Sequence, residues 1–219
     1  MEISFCHAGQ MADSAREAAR AARNALHRQL VFEGAERAFA QNGVEDTKME
    51  EIAAEAGVAL GTLYNVFAGK AQLVAAIHET RLCEAVARAA ELVRSTSDPL
   101  ETLWMGVRGY VDFFAGHPDY LRMHLRDGYA WGLGARAHTA AVHEQAWRES
   151  HAAQTAVFAR GIAQGVFYAG DPKLMARTLV AIQQVMLAEW VEGDMQDDPE
   201  DLIEAMQTQA RRAFCPPER

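Results

Sequence analysis

Apolar residues recur along this chain every three to four positions, and nowhere do they alternate with polar ones over the length of a half-buried strand. That period admits helices packed on helices and little else, so the expected fold class is all-α. The six prolines fall between the periodic segments. Pro118, Pro172 and Pro199 sit near expected helix starts, where a missing amide costs nothing. A length of 219 residues leaves room for a small domain beside a larger one.

The first 23 residues are rich in Ala and Arg and poor in large apolar side chains, so residues 1–23 read as a flexible or partly helical arm. From Asn24 onward Leu26, Leu30, Val31, Ala35, Ala38 and Phe39 keep helical spacing, and Asn42-Gly43 supplies a left-handed stop. Thr47-Lys48-Met49-Glu50 has the spacing of a capping box, with Thr47 as N-cap and Glu50 reaching back to its amide. It opens a second helix that runs through Ile52, Ala53 and Ala56 to Gly57. A third helix carries Leu63, Tyr64 and Phe67, and Ala68-Gly69-Lys70 breaks the pattern before a long helix bearing Leu73, Val74, Ile77, Leu82 and Val86. Further helices are expected over 100–115, 119–131, 138–168, 172–191 and 199–214. The expected organisation is the arm, a three-helix domain over 24–70 and a larger helical domain over 71–219.

Residues 52–67 have the ingredients of a helix-turn-helix. Ala53 is small enough for two helices to cross closely, Gly57 can take the positive φ of a tight turn, and Ile52, Val58 and Leu63 can fill the seam. Facing outward on the third helix are then Ala59, Leu60, Gly61, Thr62, Tyr64 and Asn65, a small, uncharged surface able to approach a major groove closely.

This stretch resembles the TetR/AcrR family of transcriptional regulators, which carry a motif like Ile-Ala-x-x-Ala-Gly-Val-x-x-Gly-x-Leu-Tyr-x-x-Phe, then a small pair, Lys and a Leu-rich helix. Ile52, Ala53, Ala56, Gly57, Val58, Gly61, Leu63, Tyr64, Phe67, Lys70 and Leu73 match in register. The resemblance is strong over about 24–80 and diffuse beyond. It implies an N-terminal helix-turn-helix DNA-binding domain, a C-terminal ligand-binding and dimerisation domain, and a homodimeric repressor on a palindromic operator. By position, it puts Thr47, Thr62, Tyr64 and Lys70 on DNA phosphates and Leu60, Gly61 and Asn65 nearest base edges.

Three departures weaken the polar content of the third helix. Ala59 stands where the family often has Ser or Thr, Leu60 where it has a polar or basic residue, and Val66 where it has an aromatic or His. With 21 Lys+Arg against 30 Asp+Glu, the chain carries a formal charge of −9. DNA affinity must therefore come from a local patch, for which Arg28 and Lys48, with Arg16, Arg20, Arg23 and Lys70, are the candidates. Leu60 suits a thymine methyl.

The larger domain concentrates the aromatic residues, most of which are expected to fill its core. The resemblance implies a cavity between its middle helices for a small-molecule effector, with Trp104, Phe114, Met123, Trp131, His143, Trp147, Gln183 and Met186 as its expected lining. Such a lining suits a largely apolar ligand, with His143 or Gln183 orienting a polar end. The helix over 172–191 is apolar on two faces. One bears Leu174, Thr178, Ala181 and Val185, the other Met175, Leu179, Ile182, Met186 and Trp190, and one core cannot cover both. Pairing with Leu202, Met206 and Ala210 of the last helix, and with the same helices of a second copy, gives a four-helix dimer interface.

Other classes are disfavoured. His117, His124, His138, His143 and His151 lack the i, i+4 spacing of helical metal ligands with a completing Cys or carboxylate, so no metal site is expected. No phosphate-binding glycine loop or nucleophile elbow occurs, so neither a cofactor nor an enzyme activity is expected. The three cysteines are far apart, which fits a reduced, cytoplasmic protein. No membrane span or export signal is expected. The remaining alternative is a helical dimeric protein-interaction module without operator binding, which the acidic charge and the donor-poor third helix favour.

Overall fold

A computed structural model of the chain describes residues 3–93, 96–126 and 141–217. These residues form α1 (Ile3–Asn42), α2 (Met49–Glu55), α3 (Leu60–Val66), α4 (Lys70–Val93), α5 (Pro99–Ala115), α6 (Pro118–Arg126), α7 (Ala141–Ala163), α8 (Pro172–Glu192) and α9 (Pro199–Phe214), with no strand among them. The fold is all-α. It divides within α4 into two compact units, Met1–Leu73 and Val74–Arg219.

In the first unit, α1 runs unbroken from Ile3, without the change of structure expected near residue 24. Its Ala, Arg and Glu residues are good helix formers, and helical hydrogen bonding does not require an apolar face. Among the side chains of α1 that the structure describes, burial begins at Val31 and continues through Phe32, Ala35, Ala38 and Phe39. Gly43 at φ +83 ends α1, and Gly57 at φ +66 makes the turn between α2 and α3, both as their sequence context predicts.

The start of α2 differs from the expected capping box. Lys48, not Thr47, is the N-cap, and its amide donates to the Glu51 carboxylate at 3.1 Å, so only the reciprocal half of a capping box forms, one residue later, because a Lys side chain has no acceptor. Thr47 has turned inward: it is 1 % exposed, and its hydroxyl donates to the Gly43 carbonyl at 2.6 Å, with the Ala38 carbonyl at 3.3 Å. It ties the loop to α1. The close crossing of α1 on α2 is made by Gly34, where a Cβ would lie 2.5 Å from the Ala56 amide nitrogen.

In the second unit, α5 packs on α7 and α9, and α8 on α7 and α9, with α6 touching α5 and α8. Three helices start alike. Asp98, Asp171 and Asp198 are N-caps whose carboxylates accept amide bonds from Glu101, Lys173 and Glu200, each with proline following as the first helical residue. The helix expected to reach residue 168 stops at Ala163. Gly165 takes φ +72, the Val166 amide returns to the Gly161 carbonyl at 2.8 Å, and the Phe167 ring folds over Gly161. α6 accounts for the expected helix over 119–131 as far as Arg126.

α8 shows its two faces. Ala176, Leu179, Gln183, Leu187 and Trp190 are buried within the protomer, whereas Leu174 and Val185 are 63 % and 62 % exposed. The α9 expectation needs correcting: Leu202, Met206 and Ala210 are 8 %, 1 % and 0 % exposed within one chain, because that face of α9 is spent on α5 and α8. They are not available to a second copy.

Candidate nucleic-acid interface and cavity

α3 is a seven-residue helix that buries one residue, Leu63. Ala59 is its N-cap, in extended conformation, and the Ala59 carbonyl accepts from the Thr62 amide at 2.8 Å. Gly61, Tyr64 and Asn65 are exposed, Leu60 and Thr62 half-buried, and Tyr64 shows 46 % of its surface. A Cβ at Gly61 would meet nothing within 4 Å, so the glycine is not required by packing. Its effect is to keep this face low. The face expected from the sequence is therefore open, and α3 is held at its other side by Leu63 and, at its C-cap, by Phe67.

The cations around it divide into two kinds. Lys48 is exposed at the start of α2. Arg28 is exposed too, and its guanidinium lies 5.0 Å and 5.2 Å from the Phe32 and Phe67 ring centroids, which holds a positive charge beside the end of α3. Lys70, by contrast, donates from Nζ to the Glu45 carbonyl at 2.6 Å and the Thr47 carbonyl at 3.0 Å. It clasps the loop before α2, with one ammonium proton left to offer. Thr47, assigned to a phosphate by resemblance, has its hydroxyl sealed inside, as described above.

Two structural residues escaped the sequence reading. Gly34 lies inside a helical pattern with no turn signal beside it, and Arg37 caps α2 from α1, donating Nη2 to the Glu55 carbonyl at 2.7 Å. Both act across helices, 18 to 22 residues away in sequence.

The second unit encloses a cavity of about 320 Å³ between α4, α5, α7 and α8, whose walls include Ala85, Val86, Ala89, Leu103, Gly106, Gly109, Tyr110, Val157, Val180 and Gln183. Of the expected lining residues, Gln183 is there. Phe114 and Met123 are instead 0 % exposed, packed in an aromatic cluster in which the Phe114 and Tyr120 rings stack at 6.1 Å. Trp104 lies under the Arg211 guanidinium, 5.4 Å from its ring centre, and Met186 is half-buried without lining the cavity. Trp131 and the side chains of His143 and Trp147 lie outside the described residues.

The correction has a simple cause: voids form where facing residues are small. Ala85, Ala89 and Gly106 leave space, while large rings fill it. A run of small residues on α4 and α5 is the signal that locates the cavity. Burial pushes the Tyr110 phenol well above its ordinary range, so it stays a neutral hydroxyl. Among the histidines, His124 is 3 % exposed, while the His117 and His151 rings sit against the Phe113 carbonyl and the Thr155 hydroxyl. No group of three or more potential metal ligands occurs among the described residues.

Comparison with known proteins agrees with this arrangement. The family model for bacterial regulatory proteins, tetR family, matches residues 31–77, which span the end of α1, all of α2 and α3, and the start of α4. Over those residues the chain is similar to the tetR family. It is similar to the HTH-type transcriptional repressor SCO4008 of Streptomyces coelicolor, 28 % identical over 124 residues, which are 57 % of this chain and 58 % of that protein. The chain thus spans just over half the length of that relative. Its fold matches that of the fatty acid degradation regulator FadR of Bacillus halodurans (TM-score 0.72, 17 % identity, 84 % of this chain and 94 % of that one). It also matches AibR solved with isovaleryl coenzyme A and operator DNA (TM-score 0.70, 19 % identity, 84 % and 97 %). Among the described residues, no helix is long and apolar enough to cross a membrane.

Proposed function

We propose that this protein is a transcriptional repressor, without enzymatic activity, that binds a palindromic operator as a cytoplasmic homodimer and is released by a small, largely apolar effector. The observation that carries the reading is the open face of α3, where Gly61, Tyr64 and Asn65 are exposed and only Leu63 is spent on the core. Leu60, Thr62 and Ala59 complete this low surface, with Leu60 against a thymine methyl and Asn65 and Tyr64 as hydrogen-bonding groups. Arg28 and Lys48, with Arg16, Arg20 and Arg23 exposed along α1, supply positive charge that the chain as a whole lacks. The similarity to a protein named as a repressor, and the fold shared with one solved on its operator, support the same reading.

The dimer uses the outer stripe of α8, where Leu174, Thr178 and Val185 are exposed and Ala181 half-buried, against its symmetry mate. Effector release follows from linkage: a ligand that binds the free dimer more tightly than the DNA-bound one lowers DNA affinity by the ratio of its two affinities. Bound effector in equal measure on both forms overturns that mechanism.

The test is selection of bound duplexes from random DNA with the full chain at two salt concentrations. An inverted repeat with an affinity that falls steeply with salt is expected. Recovery of no sequence at either salt overturns the reading in favour of a protein-interaction module. Tyr64→Ala is expected to weaken binding to the selected repeat while leaving the dimer intact by sedimentation; loss of the dimer would show that Tyr64 is a packing residue.

A further inference from the structure

We propose that the cavity of the second unit selects an uncharged, mostly hydrocarbon ligand through one hydrogen-bonding group placed against Gln183. The proposal rests on reading that cavity as the effector site. Gln183 lies on the buried face of α8 at 3 % exposure, and it lines the cavity. Among the described residues its carboxamide has no hydrogen-bond partner. Its polar atoms are not among the sealed, unpaired ones of the described core, so they stay reachable from the cavity, where a guest that supplies an acceptor and a donor can bond them. The same principle makes such a group a selector: a site built to bond a polar group rejects the analogue that lacks it.

Of the other polar groups of the wall, Ser150 and Gln154 are half-buried on α7, and the rest are engaged or lie in solvent. The Thr102 hydroxyl donates to the Asp98 carbonyl at 2.6 Å, the His151 ring is paired with the Thr155 hydroxyl at 3.1 Å, and Glu149 accepts from Gln145 at 2.9 Å. The full charges on the wall, Glu149 and Arg177, belong to exposed residues, and the interior is Ala, Val, Leu and Gly. A carboxylate or phosphate drawn inside would lose its water and meet no buried cation. Tyr110, held neutral by burial, adds no charge. The volume, at the lower end of the range for ligand pockets, excludes a bulky guest from lying wholly within.

The experiment is thermal unfolding of the full chain with two eight-carbon probes, octanamide and sodium octanoate, at pH 8, where the second is ionised. Octanamide is expected to raise Tm by a few degrees, and octanoate to require about tenfold more ligand or greater for the same shift. Octanoate acting as well as octanamide overturns the proposal and leaves the cavity standing as an effector site. Silence from both probes overturns the cavity reading itself.

Gln183→Leu gives the second measurement. It removes an unmatched amide from an apolar wall, so its ligand-free Tm is expected at or above that of the parent, and its response to octanamide is expected to fall about tenfold. A lower ligand-free Tm means that the carboxamide has a partner within the protein, and an unchanged octanamide response means that the guest does not touch it. Either result overturns the assignment.

Discussion

The two units treat space in opposite ways. In the first, α1 and α2 approach so closely that a single Cβ at Gly34 would collide with the Ala56 backbone, and the loop between them is tied by the Thr47 hydroxyl and the Lys70 ammonium. In the second, Gly106 faces nothing within 4 Å and the surrounding helices enclose about 320 Å³. A short helix such as α3, marginal by itself, presents a fixed surface only when what lies behind it cannot yield. A unit that must accept a guest keeps unfilled volume and gives up the stability that filling it would supply. Rigidity and receptivity are separated along the chain.

Substitutions can break or sharpen that contrast. The largest effect is expected on the α9 face, where Met206→Ala should cost about 2–5 kcal/mol in denaturant unfolding, since the side chain is 1 % exposed inside one protomer. A loss below about 1 kcal/mol would mean that this face is not sealed as described. Next comes a matched pair of glycines. Gly34→Ala should destabilise by about 1–3 kcal/mol through overpacking against backbone, while Gly106→Ala, in the open interior of α5, should stabilise by roughly 0.5–1 kcal/mol and narrow the cavity. Equal Tm changes of the same sign for the two would erase the difference between the units.

Thr47→Val should follow, with a loss of about 1 kcal/mol for the hydroxyl bond to Gly43, read by the same unfolding measurement. If Thr47→Val instead leaves stability unchanged and weakens DNA binding alone, the hydroxyl belongs to the interface after all.

The smallest effect is electrostatic. The hydrogen bond from the Arg108 guanidinium, which spans α5 and α9, lowers the Glu200 carboxyl below its ordinary range. A depressed acid contributes stability above its unfolded pKa and loses it as pH falls through the folded value, so the pair should give a shallow loss of stability on the acid side. Both side chains are largely solvated, which keeps the slope small. Glu200→Gln should flatten it, as pH-dependent unfolding curves of the two proteins would show.

Much of the molecule is written in local chemistry. Helical spacing set the all-α class; Gly43 and Gly57 marked their turns because positive φ is a property of one residue, and Pro118, Pro172 and Pro199 marked the starts of α6, α8 and α9 because a missing amide costs nothing at a first helical residue. The outward face of α3 followed from the register of the few residues that had to face in. The shifted cap at Lys48 shows the limit of such reasoning. Thr47 could cap α2 or turn inward, and only the carbonyls of Gly43 and Ala38 decide between them.

The second unit was less legible for the same reason. An apolar stripe on α9 states that something must cover it, but not whether that is α5 and α8 of its own chain or a second copy. Large aromatic residues state that they are buried, not that they border a void, and it is Gly106 and the alanines of α4 that leave one. What the sequence alone determined is what each residue does to its own backbone and immediate neighbours. Which helix meets which, where they fail to meet, and that Gln183 faces the gap were decided by tertiary packing, because those contacts join residues that no local pattern connects.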